Sequence, residues 1–362
     1  MDPKPFLRTA LLEMQGKLST QTLALVICSI LILGGCSAAP APAHQAAETS
    51  KASQEQATAF DSTFSAVVGV FANVPEDART AQILGTRRQG SGVLIDDDGL
   101  VLTIGYLIME AEEIVISGPD GDQIQASFVA YDHATGFGLV RAMKPIRAAA
   151  LELGDSKSLS EGEPVLAVSY QGRIPVIAAS VVSRRPFAGY WEYLLDNAIF
   201  TLPPHHEYGG AALIDGSGKL VGIGSLIVND AIIQERPVIG NMFVPVESLK
   251  PILADLISHG RRKPPVPPWL GVYTEEAEGR VFISRVTEGG PAQQAGLNAG
   301  DIIIGVGGKR IGTMIEFFQK VRNQGGAGTN IRLDIIPFDT RDLTINKVDI
   351  KSLDRFDWLH MK

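Results

Sequence analysis

Six histidines, two cysteines and a few clustered carboxylates hold most of the chemistry open to this chain of 362 residues. His205-His206-Glu207 is the densest group of metal-ligating types. Neighbouring side chains in an extended segment diverge, however, and no third ligand is marked by spacing, so no metal site is expected. Asp132 and His133 are adjacent and could join a hydroxyl in a nucleophile–base pair, but no serine is indicated opposite them. They read as a surface turn. Asp96-Asp97-Asp98-Gly99 lacks the alternating carboxylates and distant Glu of a calcium loop and reads as a hairpin turn. Cys28 and Cys36 both lie in the first tenth of the chain. The remainder therefore has no disulfide, cysteine nucleophile or thiolate metal site. The loop around Tyr208, Gly209 and Gly210 has no Ser, Thr or Cys between Thr201 and Ser217. It thus has no hydroxyl of the kind an acyl-transfer enzyme activates.

The rest of the chain must position whatever site exists. With 45% hydrophobic and 20% charged residues the chain is built to fold. Gly and Pro make up about 16% of it, above the roughly 12% average, which favours short strands and many turns. The net charge of −8 and the lack of any basic run longer than Arg261-Arg262-Lys263 exclude a nucleic-acid partner. Residues 1–35 combine basic residues with an apolar run of 11 residues, 23–33, and then Gly34-Gly35-Cys36. That run is about half of what a bilayer span needs, so the segment reads as a secretory signal. Residues 36–59, rich in Ala, Pro, Gln, Ser and Glu, read as a flexible tether. Paired apolar runs flank Asp/Gly turns at 92–103 and 212–223, the pattern of hairpins. Apolar spacing predicts a helix over 246–258. Residues 261–268, with four prolines, form a stiff linker.

Four motifs in order resemble the trypsin-like domain of the HtrA/Deg envelope proteases. They are Gln89-Gly-Ser-Gly-Val-Leu-Ile-Asp-Asp-Asp-Gly-Leu-Val-Leu-Thr103, Leu153-Gly-Asp-Ser156, Glu161-Gly-Glu-Pro-Val-Leu-Ala167, and Gly209-Gly210 with the strand pair 213–223. Trp269-Leu-Gly-Val272 and Gly290-Pro-Ala-Gln-Gln-Ala-Gly-Leu-Asn-Ala-Gly-Asp-Ile-Ile303 resemble the PDZ domain that follows in that family. The resemblance implies a mainly β protein, with a trypsin-like double antiparallel β-barrel over 60–260 and an α+β PDZ domain over 269–352. Residues 353–362 are left as a short docking tail. Leu33-Gly34-Gly35-Cys36 resembles the bacterial lipobox, which implies lipidation at Cys36. Ser37 after it implies an outer-membrane lipoprotein facing the periplasm.

The same comparison implies that the catalytic residues are gone. The histidine position falls on Tyr106 and the aspartate position on Gly136. The serine position falls on Tyr208 in one register and on Gly209 in the other. Tyrosine, with a pKa near 10, is a poor base at neutral pH, and glycine orients nothing. Glu207 would also oppose a developing oxyanion nearby. The PDZ resemblance implies working parts: a peptide-binding loop of Trp269, Leu270, Gly271 and Val272, with the N–H groups of 270–272 to hold a carboxylate, and a helix over 313–322. On that helix Ile315, Phe318 and Arg322 share one stripe beside a pocket for the last side chain. The expected protein is thus an inactive protease homologue without cofactor. It would bind peptide C-termini or unfolded proteins as a chaperone-like or regulatory scaffold in envelope protein quality control. An active HtrA-type protease is a further candidate partner, and Phe60 and Phe64 stand where the family builds homo- or hetero-trimers. Two alternatives stand beside this reading: an active serine endopeptidase and a structural envelope lipoprotein. Tyr190, Trp191 and Tyr193 form an aromatic cluster that reads equally as core or as contact surface.

Overall fold

The computed structural model describes residues 63–338 and 344–361. The signal and lipidation segment with Cys36, the tether and Phe60 lie outside the described residues.

Short Val-, Ile- and Leu-rich runs form strands because branched side chains pack well on a pleated surface. The first six close a barrel in the order β1-β2-β3-β6-β5-β4: β1 (Val67–Asn73), β2 (Arg87–Leu94), β3 (Leu100–Ile104), β4 (Glu113–Ser117), β5 (Gln123–Tyr131) and β6 (Phe137–Ala142). Closure comes from β1 pairing with both β2 and β4, which leaves no open sheet edge. The Asp96 carboxylate accepts from Leu100 N at 2.7 Å, so the acidic run is the hairpin turn expected of it. A short helix, α1 (Ala81–Leu84), sits between β1 and β2. A second barrel follows in the order β10-β11-β12-β9-β8-β7: β7 (Pro164–Val168), β8 (Val176–Gly189), β9 (Tyr193–Leu202), β10 (Ala212–Ile214), β11 (Leu220–Val228) and β12 (Gly240–Pro245). Its core includes Val181, Ile199, Leu213, Val221 and Phe243.

The helix predicted over 246–258 is broken. A 3-10 turn covers Val246–Ser248, and α2 (Leu253–His259) starts only after Pro251. Proline has no N–H to donate and clashes with the carbonyl four residues back, so the helix begins beyond it. The proline-rich segment is pinned by its cations: Arg262 pairs with Asp132 at 2.6 Å and Lys263 with Asp255 at 2.8 Å.

The third unit is a sheet in the order β13-β14-β15-β17-β18, with β16 on β15. Its strands are β13 (Val272–Ala277), β14 (Arg280–Val286), β15 (Ile302–Val306), β16 (Lys309–Arg310), β17 (Asn330–Ile336) and β18 (Asn346–Lys351). Two helices belong to it: α3 (Pro291–Gln294) and α4 (Met314–Arg322). The Thr313 hydroxyl caps α4 by accepting from Glu316 N, so the helix starts where the sequence predicts. The last helix, α5 (Arg355–Trp358), turns back onto the first barrel. There Leu359 packs with Met109 and Tyr131.

Two features hold the ground beneath the cleft. Gly210 has φ +75°, and a Cβ there would lie 1.8 Å from the Ser91 carbonyl oxygen. Only glycine fits so close a contact between the barrels. Arg88, almost fully buried, gives its guanidinium to the carbonyls of Gly85, Tyr106 and Met109 and to the Thr80 hydroxyl. Burial lowers its pKa to about 10, which leaves it charged at neutral pH. Glu110 beside it accepts from Arg79 N, Thr80 N, the Thr80 hydroxyl and His360 N. Burial by itself would raise the Glu110 pKa, but these hydrogen bonds outweigh it and hold the group below the ordinary carboxylate range.

Three variants test these contacts. Gly210→Ala should lose about 3 kcal/mol or more in urea unfolding, from overpacking and left-handed strain together. Gly216→Ala, where a Cβ meets nothing within 4 Å, should change stability by less than about 0.5 kcal/mol. Glu110→Gln should cost about 1–3 kcal/mol at pH 7. A depressed carboxyl pKa stabilises the fold above the unfolded value of about 4.3 and ceases to do so as pH falls through the folded value. The gap between wild type and Glu110→Gln should therefore narrow below about pH 4. A constant gap would show that the charge is not what matters.

Candidate functional site

The positions singled out in the sequence converge on one cleft. Tyr106, Gly136 and Tyr208 all line a cavity of about 1080 Å³. The cavity also reaches Trp269 and Gly289 of the third unit and Trp358 near the C-terminus. Tyr106 follows β3 on a 3-10 turn, Gly105–Leu107, whose carbonyl at Tyr106 is held by Arg88. Its hydroxyl donates to the Ser225 carbonyl oxygen on β11 at 3.0 Å. The side chain therefore bridges the two barrels. Burial pushes the phenol well above its ordinary pKa, and Tyr208 adds to the shift. It is a donor at neutral pH and cannot act as a base.

Gly209 lies by the Tyr106 hydroxyl, and Gly136 holds the turn that carries Tyr106. The Gly209 carbonyl accepts from Ser91 N at 2.8 Å, and a Cβ on Gly209 would stand 3.0 Å from the Tyr106 hydroxyl. Gly136 accepts from Gly105 N at 2.7 Å, and a Cβ on it would stand 3.1 Å from the Tyr193 hydroxyl. Gly209 thus faces the Tyr106 hydroxyl directly, and Tyr208 lines both this cavity and the smaller one beside it. Glu207 is exposed, with its methylene against Gly172, and lines a smaller cavity of about 270 Å³ beside Gly209.

The other titratable groups serve the fold. Asp132 is not on a surface turn as expected: it is 3% exposed. It accepts from Thr135 and from Arg262, because the linker passes directly over it. His133 receives a hydrogen bond from Arg355 at 3.0 Å. Burial, then the Arg355, Arg322 and Arg262 charges, hold its imidazole well below the usual value, so it is neutral at pH 7. The His205 backbone exchanges hydrogen bonds with the Asn241 side chain, while His206 is exposed. Among the described residues no group of three His, Cys, Asp or Glu is arranged to hold a metal ion.

The second candidate site is the groove beside β13. Leu270, Gly271 and Val272 turn their N–H groups to one point, with Gly271 at φ +80°. The Glu192 carboxylate occupies that point. It accepts from Leu270 N at 2.8 Å, Gly271 N at 2.6 Å and Val272 N at 2.9 Å. Loss of solvent raises its pKa to about 7, against the pull of these N–H groups and of Arg355. Phe318 is buried beside Phe317 and Val321, and Ile315 packs partly buried against the same core. Arg322 reaches across to the Leu194 carbonyl at 2.7 Å. Trp269 stacks near Trp358, with ring centroids 5.4 Å apart, and its backbone bridges to Leu353. The aromatic run is divided: Tyr193 is core, Trp191 stacks on it, and Tyr190 bonds through its carbonyl to Thr274 N. Glu192 escaped the sequence reading. The available signal was a lone carboxylate inside the apolar run 190–195.

Residues 90–223 match the trypsin-like peptidase domain family and residues 282–336 the PDZ domain family. The chain is 27% identical over 278 residues to the serine protease Do-like HtrA of Bacillus subtilis (strain 168), covering 68% of this chain and 60% of that protein. It is 26% identical over 279 residues to the periplasmic serine endoprotease DegP of Escherichia coli (strain K12), covering 71% of this chain and 56% of that protein. The chain thus spans well under two thirds of the length of these relatives. In fold it is similar to the HtrA-type protease AlgW solved with a decapeptide. That match has a TM-score of 0.51 at 19% identity and covers 82% of this chain and 98% of that one. The two barrels, the third sheet and these likenesses together give the chain the plan of a trypsin-like peptidase domain followed by a PDZ domain.

Proposed function

We propose that this chain is a catalytically inactive HtrA-type protein of the bacterial envelope, tethered through a lipidated Cys36, that works by binding protein C-termini or unfolded segments through its PDZ domain. The observation that carries this reading is the Tyr106 hydroxyl donating to Ser225 O in the centre of the cleft. A serine protease needs a base there that can take a proton from a nearby hydroxyl. Tyr106 already spends its proton on a backbone carbonyl, and Gly209 and Gly136 offer neither nucleophile nor carboxylate. The Thr103 hydroxyl donates to Ser91 O, and the Ser91 hydroxyl accepts from Tyr170 N. Neither is poised as a replacement. Binding is favoured by the convergent N–H groups of residues 270–272, which suit a carboxylate, and by the apolar cluster that Phe318 shares with Leu270 and Val272.

The purified protein should not cleave unfolded casein above the level of its Tyr106→Phe variant, and a fluorophosphonate probe should label no residue. Mass spectrometry of a labelled serine, or cleavage that Tyr106→Phe abolishes, would overturn the reading and restore an active endopeptidase. A peptide with an apolar last residue should bind with its carboxylate free and lose at least tenfold in affinity when amidated, since one charge-assisted set of hydrogen bonds is removed.

A further inference from the structure

The tip of the β8–β9 hairpin, residues 190–194, reaches from the second barrel into the PDZ groove and makes three kinds of contact that an added peptide strand would make. Glu192 supplies the carboxylate to the three N–H groups of residues 270–272. The Tyr190 carbonyl accepts from Thr274 N at 2.9 Å, the main-chain pairing of an added strand. Leu194 is 2% exposed and belongs to the same apolar core as Val272, Phe318 and Val321, where a terminal side chain would go. Arg322 fastens the Leu194 carbonyl from α4. We propose that this hairpin is an internal pseudo-ligand that holds the groove shut, so that a free C-terminus binds only by displacing Glu192 and Leu194. The proposal rests on the peptide-binding reading of the PDZ groove and specifies how that groove is regulated.

The contact carries a cost in backbone conformation and in solvation. Glu192 stands at φ +60°, a left-handed conformation that glycine adopts freely and glutamate does not. Its carboxylate is also withdrawn from water, which disfavours the charge. Both costs fall on the one residue that caps the three N–H groups. Removing them leaves a hairpin better suited to its own backbone but without a carboxylate to offer. The groove then follows the ordinary arithmetic of a closed state: peptide affinity is lowered by the fraction of molecules in which the latch is open. When a peptide takes the N–H groups, the hairpin contacts that join the second barrel to the PDZ sheet are lost with it. Occupancy of the groove and attachment of the domain therefore oppose each other.

The test uses a fluorescein-labelled decapeptide ending in leucine, with its amidated twin as control, against the wild-type protein and Glu192→Gly. Glycine suits φ +60°, so the variant should fold, and circular dichroism checks this. Glu192→Gly should bind the free-carboxylate peptide at least tenfold more tightly than wild type, with neither protein binding the amide appreciably. Without peptide, hydrogen exchange at residues 270–272 should quicken in the variant. Peptide added to wild type should quicken exchange in residues 190–194. Equal affinity in both proteins would overturn the latch and leave the peptide-binding reading standing. No binding by either folded protein would remove the peptide-binding reading, and the latch with it. Glu192→Gln keeps the side-chain length without the charge, and an intermediate gain in affinity would assign part of the closure to the carboxylate charge itself.

Discussion

A carboxylate withdrawn from water must find donors, and Glu192 finds three on a different unit of the same chain. Much of the arrangement of the second barrel and the PDZ sheet follows from that requirement. The N–H groups of residues 270–272 converge because Gly271 adopts a left-handed turn. Left alone they would be an anion site open to water. Filled by Glu192, they draw the β8–β9 hairpin across the groove and carry Leu194 into the apolar core behind it. Tyr190 then pairs with β13, and Arg322 closes the contact from α4. A single charged side chain thereby links an aromatic hairpin, a glycine loop and a helix that are far apart in sequence.

The cleft between the barrels obeys a related rule of polar satisfaction. The trypsin-like architecture brings Ser91, Gly209 and Gly210 together so closely that the glycine contact leaves no room for a side chain. Tyr106 reaches over this seam and ties β11 to the first barrel by one hydrogen bond. Arg88 and Glu110 support it from below, and the Glu110 carboxylate also accepts from His360 N, which brings the C-terminal segment onto the wall of the cleft. Arg79 lies over the Trp358 ring at 3.7 Å and tightens the same junction. The segment read as a docking tail thus docks on its own chain. The large cavity is what remains once these contacts are made, and its aromatic lining comes from all three units.

The mainly β class, the order of the units, the hairpin turns at Asp96 and Asp215 and the helix over 313–322 were legible in the linear chain. The hairpins rest on local chemistry, apolar runs around turn residues whose carboxylates accept from nearby N–H groups, whereas the order of the units and the 313–322 helix were implied by the motifs' resemblance to a known family. The helix over 246–258 was misjudged because periodicity outweighed Pro251, whose missing N–H acts locally and was equally visible. Asp132 was misjudged for a different reason. Its burial depends on Arg262, 130 residues later in the chain, and no local pattern announces that pairing.

The residues at the cleft were determined by sequence alone: Tyr106, Gly136, Tyr208 and Gly209 offer the same functional groups in any fold, and none is a conventional nucleophile or base. The tertiary structure decided what these groups do. It set Gly209 against the Tyr106 hydroxyl, and it gave the Tyr106 proton to Ser225 O. It also filled the groove beside β13 from within, since the donors at 270–272 and the acceptor at 192 meet only when the two units pack. Residue type sets which hydrogen bonds a group is able to make, whereas long-range packing selects the partner, because a buried donor must be satisfied by whatever the fold places within reach.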